Sequence, residues 1–244
     1  MVQLKDQPTI APKALDRSFI EEELIALQDR LFELQRLLYA NSQHSLLIIL
    51  QGLDAAGKDS TVRHVFSCVN PMGCNVKPFK KPTEEEMKHD FLWRVYPHLP
   101  AKGMIQIFNR SYYEDILVPT VYQSHDNRVI EHRYEFINAF EQHLALNNTI
   151  ILKFFLHLSE EKQKMKLERR ISDPRRKWKY DIADKIESKN REAYVQVYEE
   201  IFKRCSPDFP WEIIPADQKW YRNYLIAKAV VDKLEALNMS YPTG

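Results

Sequence analysis

The stretch SLLIILQGLDAAGKDS at residues 45–60 constrains this chain more than any other. Residues 46–50 are an unbroken run of branched apolar side chains, the pattern of a strand buried on both faces of a sheet. Directly after it come Gly52, four residues, then Gly57 and Lys58, and from Ser60 to Cys68 the sequence is compatible with a helix. Glycines let the backbone turn tightly, so that its N–H groups and a helix N-terminus face one anion, while lysine adds a mobile cation. Gly52, Ala55, Ala56, Gly57, Lys58, Asp59 and Ser60 are therefore expected to form a phosphate cradle of the P-loop kind.

Two departures from the common loop carry information. The position after Lys58, usually Ser or Thr to hold magnesium, is Asp59, with Ser60 one place later. Asp54 sits inside the loop, where bound phosphates repel it unless a divalent cation lies between them or the carboxyl takes a proton. Asp54 thus implies a metal; the alternative is a carboxylate that faces solvent or caps a backbone N–H.

At 244 residues and 44% apolar, the chain can bury one large core. The expected layout is an arm and amphipathic helix over 1–44, a phosphate-binding domain over 45–238 with a lid at about 165–185, and a tail over 239–244. A net charge of +1 argues against a generally nucleic-acid-binding surface, so any polyanion site must come from local clustering. Cys68, Cys74 and Cys205 lack metal-ligand spacing and cannot all pair, which fits a reducing cytoplasm. No apolar segment approaches the ~20 residues that span a bilayer, and the N-terminus lacks the apolar core of a signal peptide. A soluble cytoplasmic protein is expected, with neither membrane nor nucleic acid as partner.

Residues 1–16 carry Pro8 and Pro12 without periodicity and are expected to lie extended on the body or to be disordered. Leu24, Leu27, Leu31, Leu34 and Leu38 then mark an amphipathic helix, whose apolar stripe is expected to pack on this same chain rather than on a second subunit. Further strands are expected at 74–79, 104–108, 149–158 and 211–215. Helices are expected at 83–96, where Thr83 precedes three glutamates, and at 128–146, from Ser159, and at 220–237. Strands alternating with helices imply a parallel five-stranded sheet covered by helices on both faces, an α/β fold.

Chemistry in such sheets gathers at the carboxyl ends of strands. The end of the third strand offers Asn109, Arg110, Ser111, Tyr112, Tyr113, Glu114 and Asp115, so Arg110 and the carboxylate pair Glu114 and Asp115 should lie near the cradle, with metal binding falling to Asp115 ahead of Glu114. Lys77, Lys80, Lys81 and Arg94 either converge on one strand-to-helix junction or form a solvated basic face. The tract RRISDPRRKWK at 169–179 holds six basic residues: Arg169, Arg170, Arg175, Arg176, Lys177 and Lys179. Their self-repulsion would be relieved by a bound polyanion, and Pro174 breaks the helix, as a movable lid requires. Trp178 either stacks on a base or belongs to the core.

GLDAAGKDS at 52–60, FKKPTEEEMKHDFLWR at 79–94, FNRSYYEDILVPTV at 108–121 and ERRISDPRRKWK at 168–179 together resemble the polyphosphate kinase 2 family, over roughly residues 18–238. The resemblance implies a thymidylate-kinase-like P-loop fold and phosphoryl transfer between inorganic polyphosphate and a nucleotide with magnesium or manganese. NRSYYED at 109–115 looks most like the subgroup that accepts both nucleoside mono- and diphosphates. By the same likeness, Asp54 holds metal, Lys58 binds phosphate, Asp115 with Glu114 is the second acidic site, and Asn109 and Arg110 stand at the reacting phosphates. Lys81, Arg94, Arg169, Arg170 and Arg175 are expected to track polyphosphate or nucleotide phosphates, in a homo-oligomer, dimer or tetramer. Two other readings share parts of this pattern: an ATP-dependent nucleoside monophosphate kinase, and a noncatalytic nucleotide or polyanion sensor.

Overall fold

The computed structural model describes residues 2–175, 190–205 and 207–242. Five strands, β1 (Ser45–Gln51), β2 (Cys74–Pro78), β3 (Ile105–Asn109), β4 (Thr149–His157) and β5 (Trp211–Pro215), form one parallel sheet in the order β2-β3-β1-β4-β5. Among the described residues the α-helices are α1 (Arg17–Asn41), α2 (Lys58–Val65), α3 (Glu114–Val121), α4 (Asn127–Leu146), α5 (Glu160–Ser172), α6 (Arg191–Arg204) and α7 (Lys219–Glu235).

β1 is buried along its whole length, and its alternating side chains feed two separate apolar layers. Leu46, Ile48 and Leu50 join Leu31 and Leu38 of α1, Val65 of α2 and Ile226 and Val230 of α7 on one face. Leu47 and Ile49 join Ile116 of α3, Ile137 of α4 and Tyr198 and Ile201 of α6 on the other. This is why residues 46–50 read as a continuous apolar run: both faces are covered by helices. The leucine stripe of α1 packs on the same chain, with Arg30 reaching Glu235 of α7 at 2.7 Å. The N-terminal arm lies on the body: Leu4 is buried and its N–H donates to Glu199, while the Ala11 N–H donates to Gln218, each at 2.7 Å.

Three segments depart from expectation. The helix expected over 83–96 is replaced by two 3-10 turns, Glu86–Lys88 and Tyr96–His98. Its start signal does form, with Thr83 N–H donating to Glu86 and Glu86 N–H to Thr83 Oγ1. One turn later the Asp90 carboxylate captures the Leu92 N–H at 2.9 Å, a bond that competes with helix continuation. Arg94 is then drawn into tertiary bonds with the Lys80 carbonyl and Asp115. Second, α3 forms despite Pro119 within it. Proline cannot donate to the carbonyl four residues back, here that of Asp115, and the Arg133 guanidinium donates to that carbonyl instead. Third, α6 lies where the sequence expectations set no helix bounds, although Tyr194, Val197, Tyr198, Ile201 and Phe202 show its buried stripe in the sequence.

Candidate active site

β1 and β3 are neighbours, but the chain leaving β1 turns to β2 through α2, while the chain leaving β3 crosses through α3 and α4 to β4 on the other side of β1. The two connections run over opposite faces, so a crevice opens between them at the carboxyl ends of β1 and β3. Residues 52–58 form one wall and residues 109–115 the other.

The first wall is a strained loop. Gly52, Ala55 and Gly57 take φ values of 148°, 62° and 108°, conformations open chiefly to glycine. A Cβ on Gly52 would lie 2.9 Å from the Leu156 carbonyl oxygen. Lys58 opens α2 and is only 8% exposed; its Nζ donates to the Gly52 carbonyl at 2.7 Å and more weakly to that of Leu53 at 3.4 Å. Burial, with Arg110 adding to it, pushes the Lys58 ammonium down to about 8 against the opposing pull of Asp54, Glu114 and Asp59.

The second wall delivers Arg110, itself in a left-handed conformation with φ 62°. Its Nη2 donates to Asp54 at 2.6 Å and its Nη1 to Glu114 at 3.1 Å, so one guanidinium ties an acid of each wall together. Beside it Asn109 Nδ2 donates to Asp59 at 2.6 Å, a second tie across the crevice that leaves Asp59 on the α2 side. Asp115 points elsewhere: it pairs with Arg94 at 2.8 Å, its carboxyl pushed up by burial against the pull of that guanidinium. Arg94 is itself buried and also donates to the Lys80 carbonyl at 2.9 Å. Of the expected basic junction, Lys80 and Lys81 are exposed, and Lys77 lies over the Phe79 ring at 5.8 Å.

This wall is anchored from below. Tyr112 and Tyr113 both donate to Glu141 Oε1 at 2.8 Å, and Glu141 is paired with the fully buried Lys153 of β4 at 2.7 Å. A buried ion pair with its remaining valences bonded is tolerated where an unpaired charge is not. Two consecutive tyrosines so held set where Arg110 and Glu114, on either side of them, emerge.

α5 supplies contacts that were not foreseen. Gln163 Nε2 donates to the Asp54 carbonyl and Lys166 Nζ to that of Ala55, each at 3.2 Å. Burial, joined by the charge of Arg222, pushes Lys166 down to about 8. Arg191, the first residue of α6, donates to Gln163 and to the Leu158 carbonyl. Arg169 and Arg170 lie three and four residues beyond Lys166 in the last turn of α5, so the three share a helix face. That spacing was visible in the sequence and would have added Lys166. Arg175 follows, with its N–H on Asp173 at 3.1 Å. Arg176, Lys177, Trp178 and Lys179, with the rest of the expected lid as far as 185, lie outside the described residues. The narrow crevice itself is lined by Asp54, Arg110, Leu117, Gln163, Tyr194 and Tyr198.

Among the described residues no group of three or more His, Cys, Asp or Glu side chains could by itself hold a metal ion. Asp54 and Glu114, brought to one guanidinium, fit a different demand. Magnesium is commonly held by one or two carboxylates and completed by substrate phosphates and water. The site residues suit such an ion only together with a phosphorylated substrate.

A parallel sheet with a glycine-turned anion loop at its first strand, a lysine in that loop and acids facing an arginine across the crevice defines a P-loop phosphotransferase. Residues 14–242 match the family model of Polyphosphate kinase 2 (PPK2). The chain is 45% identical over 222 residues to the AMP/ADP-polyphosphate phosphotransferase of Meiothermus ruber, covering 91% of this chain and 83% of that one. It is 42% identical to the ADP-polyphosphate phosphotransferase of Rhodopseudomonas palustris, over 90% of this chain and 81% of that one. The crystal structure of polyphosphate kinase 2 from Arthrobacter aurescens TC1 superposes with a TM-score of 0.91 at 34% identity, covering 100% of this chain and 93% of that one. The chain belongs to the polyphosphate kinase 2 family. Among its described residues no helix is long and apolar enough to cross a membrane.

Proposed function

We propose that this chain transfers phosphoryl groups between inorganic polyphosphate and both nucleoside mono- and diphosphates, with Lys58, Arg110, Asp54 and Glu114 at the reacting phosphates. The observation that carries the assignment is the Asp54–Arg110–Glu114 bridge across the crevice, beside the buried Lys58. Phosphoryl transfer passes through a loose transition state, so the protein aligns donor with acceptor and neutralises charge, and no covalent nucleophile is needed. Lys58 and the loop N–H groups hold one phosphate. Arg110, fixed at two points, presents its guanidinium where charge develops on the transferring group. Asp54 and Glu114 are the residues that would hold magnesium or manganese, whose charge would neutralise phosphate oxygens that otherwise repel both acids. Lys77, Lys80, Lys81, Arg169, Arg170 and Arg175 supply cations for the rest of a chain carrying about one charge per phosphate. In this reading Arg94 and Asp115 form a strut that shapes the second wall.

The test is a donor and acceptor panel: polyphosphate with AMP or ADP, no ATP, with magnesium and then with excess EDTA. ADP and ATP should form and should vanish on chelation. Product that requires ATP as donor would mark a nucleoside monophosphate kinase, and binding without transfer would mark a sensor; either overturns the proposal, as does EDTA resistance. Asp54→Asn should cost about a hundredfold or more in kcat, the scale expected when one transition-state charge stabiliser is lost.

A further inference from the structure

Arg222 of α7 is completely buried, and its guanidinium rests against the back of the phosphate loop. A Cβ placed on Gly57 would come within 2.3 Å of its Nη1. Nη1 donates to the Ala56 carbonyl at 3.2 Å, and Nη2 to Ser60 Oγ at 3.4 Å and to Asn223 Oδ1 at 3.1 Å. Nε donates to that same Asn223 oxygen at 3.3 Å. Every one of these partners is neutral, and among the described residues no carboxylate lies within ion-pair distance of Arg222. Another cation, Lys166, feels its charge and bonds the neighbouring Ala55 carbonyl. Burial alone pushes the guanidinium down to about 10, far below the ordinary arginine value.

A buried cation with neutral partners opposes folding, and an apolar side chain of similar length would fill the same space without that cost. What the guanidinium supplies is a fixed positive charge in a low-dielectric interior, directly behind a loop whose front receives an anion, where attraction is screened far less than at the surface. It also ties the Ala56 carbonyl of that loop to α7.

We propose that Arg222 is a positioning residue for the polyphosphate site: from behind the loop it orients the cradle and attracts the phosphate chain, without touching it. This deepens the polyphosphate reading and rests on it. The charge, more than the shape, is what the site requires.

Three proteins test this: wild type, Arg222→Met and Arg222→Lys. Each is assayed for kcat and for KM toward polyphosphate and toward ADP, and for the salt dependence of tripolyphosphate binding by calorimetry. Arg222→Met should raise the polyphosphate KM about tenfold, leave the ADP KM within about twofold and flatten the salt dependence. Arg222→Lys, which keeps the charge and loses the fork, should recover most of the polyphosphate affinity. A wild-type polyphosphate KM in Arg222→Met overturns the inference. So does an equal rise in both KM values with no rescue by lysine, because that is the signature of a purely structural role. Should Arg222→Met fail to fold, Arg222→Gln keeps amide donors, removes the charge and carries the same expectations. Inactivity of the wild type with polyphosphate would instead sink the functional reading, so the two failures are distinguishable.

Discussion

Lys58 offers a direct measure of what the phosphate loop does on binding. In the free protein its ammonium is pushed from 10.5 to about 8, chiefly by burial, a change worth about 3 kcal/mol against the charged form. A polyanion in the cradle supplies the counter-charge that the loop carbonyls lack, so binding should restore the proton affinity. At about pH 8.5 roughly a quarter of free Lys58 is protonated, and nearly all of it should be in the complex, giving an uptake of about 0.7 proton per site. Calorimetric titration with tripolyphosphate, in two buffers of different ionisation enthalpy, reads this number directly. Binding should weaken as pH rises from about 8 toward 10.5, by at most tenfold per pH unit. Folding stability responds with the opposite sign. The folded state sheds the Lys58 proton before the unfolded state does, so stability should rise over the same interval. Lys166, pushed down to about 8 as well, can add a second proton. Lys58→Arg does not titrate in this range and should remove the Lys58 share, whereas Lys166→Met should retain it. Identical heats in both buffers, or an uptake unchanged in Lys58→Arg, would refute the account of the loop.

Three other perturbations probe distinct parts of the structure. Glu114→Gln should weaken the dependence of activity on magnesium concentration far more than Asp115→Asn, because Glu114 shares Arg110 with Asp54 whereas Asp115 is bound to Arg94; a metal titration that ranks them in the reverse order contradicts the assignment. Gly57→Ala forces a side chain into φ 108° and against Arg222, and should abolish transfer while lowering the thermal midpoint, as read by calorimetric melting. Lys153→Met strands the Glu141 carboxylate in the core at a cost of about 3–5 kcal/mol. The double variant Lys153→Met, Glu141→Leu should recover much of that stability but not the activity, since Tyr112 and Tyr113 lose their common acceptor.

Much of this site could be read from the chain itself because its components are local. A run of branched apolar residues followed by Gly52, Gly57 and Lys58 specifies a strand, a turn and an anion-facing helix start within one short segment. The polar cluster after β3 was likewise placed by the rule that strand ends carry the chemistry. What could not be read was pairing. Asp115 and Glu114 are adjacent in sequence, yet side chains of successive residues leave the helix in different directions, and only packing reveals that one meets Arg110 and the other Arg94. The same limit explains the failed helix over 83–96, whose cap was correct. Its continuation lost to bonds with Lys80 and Asp115.

The amino-acid sequence by itself determined the five parallel strands, the phosphate loop and the acids that distinguish it, because periodicity and turn chemistry act over a few residues. Tertiary structure alone decided that Arg222, more than 160 positions from Ala56, stands behind that loop, and that Arg110 joins the two walls. A buried charge is placed by the shape of the whole core, and its partners are chosen by distance in space, which no local pattern encodes.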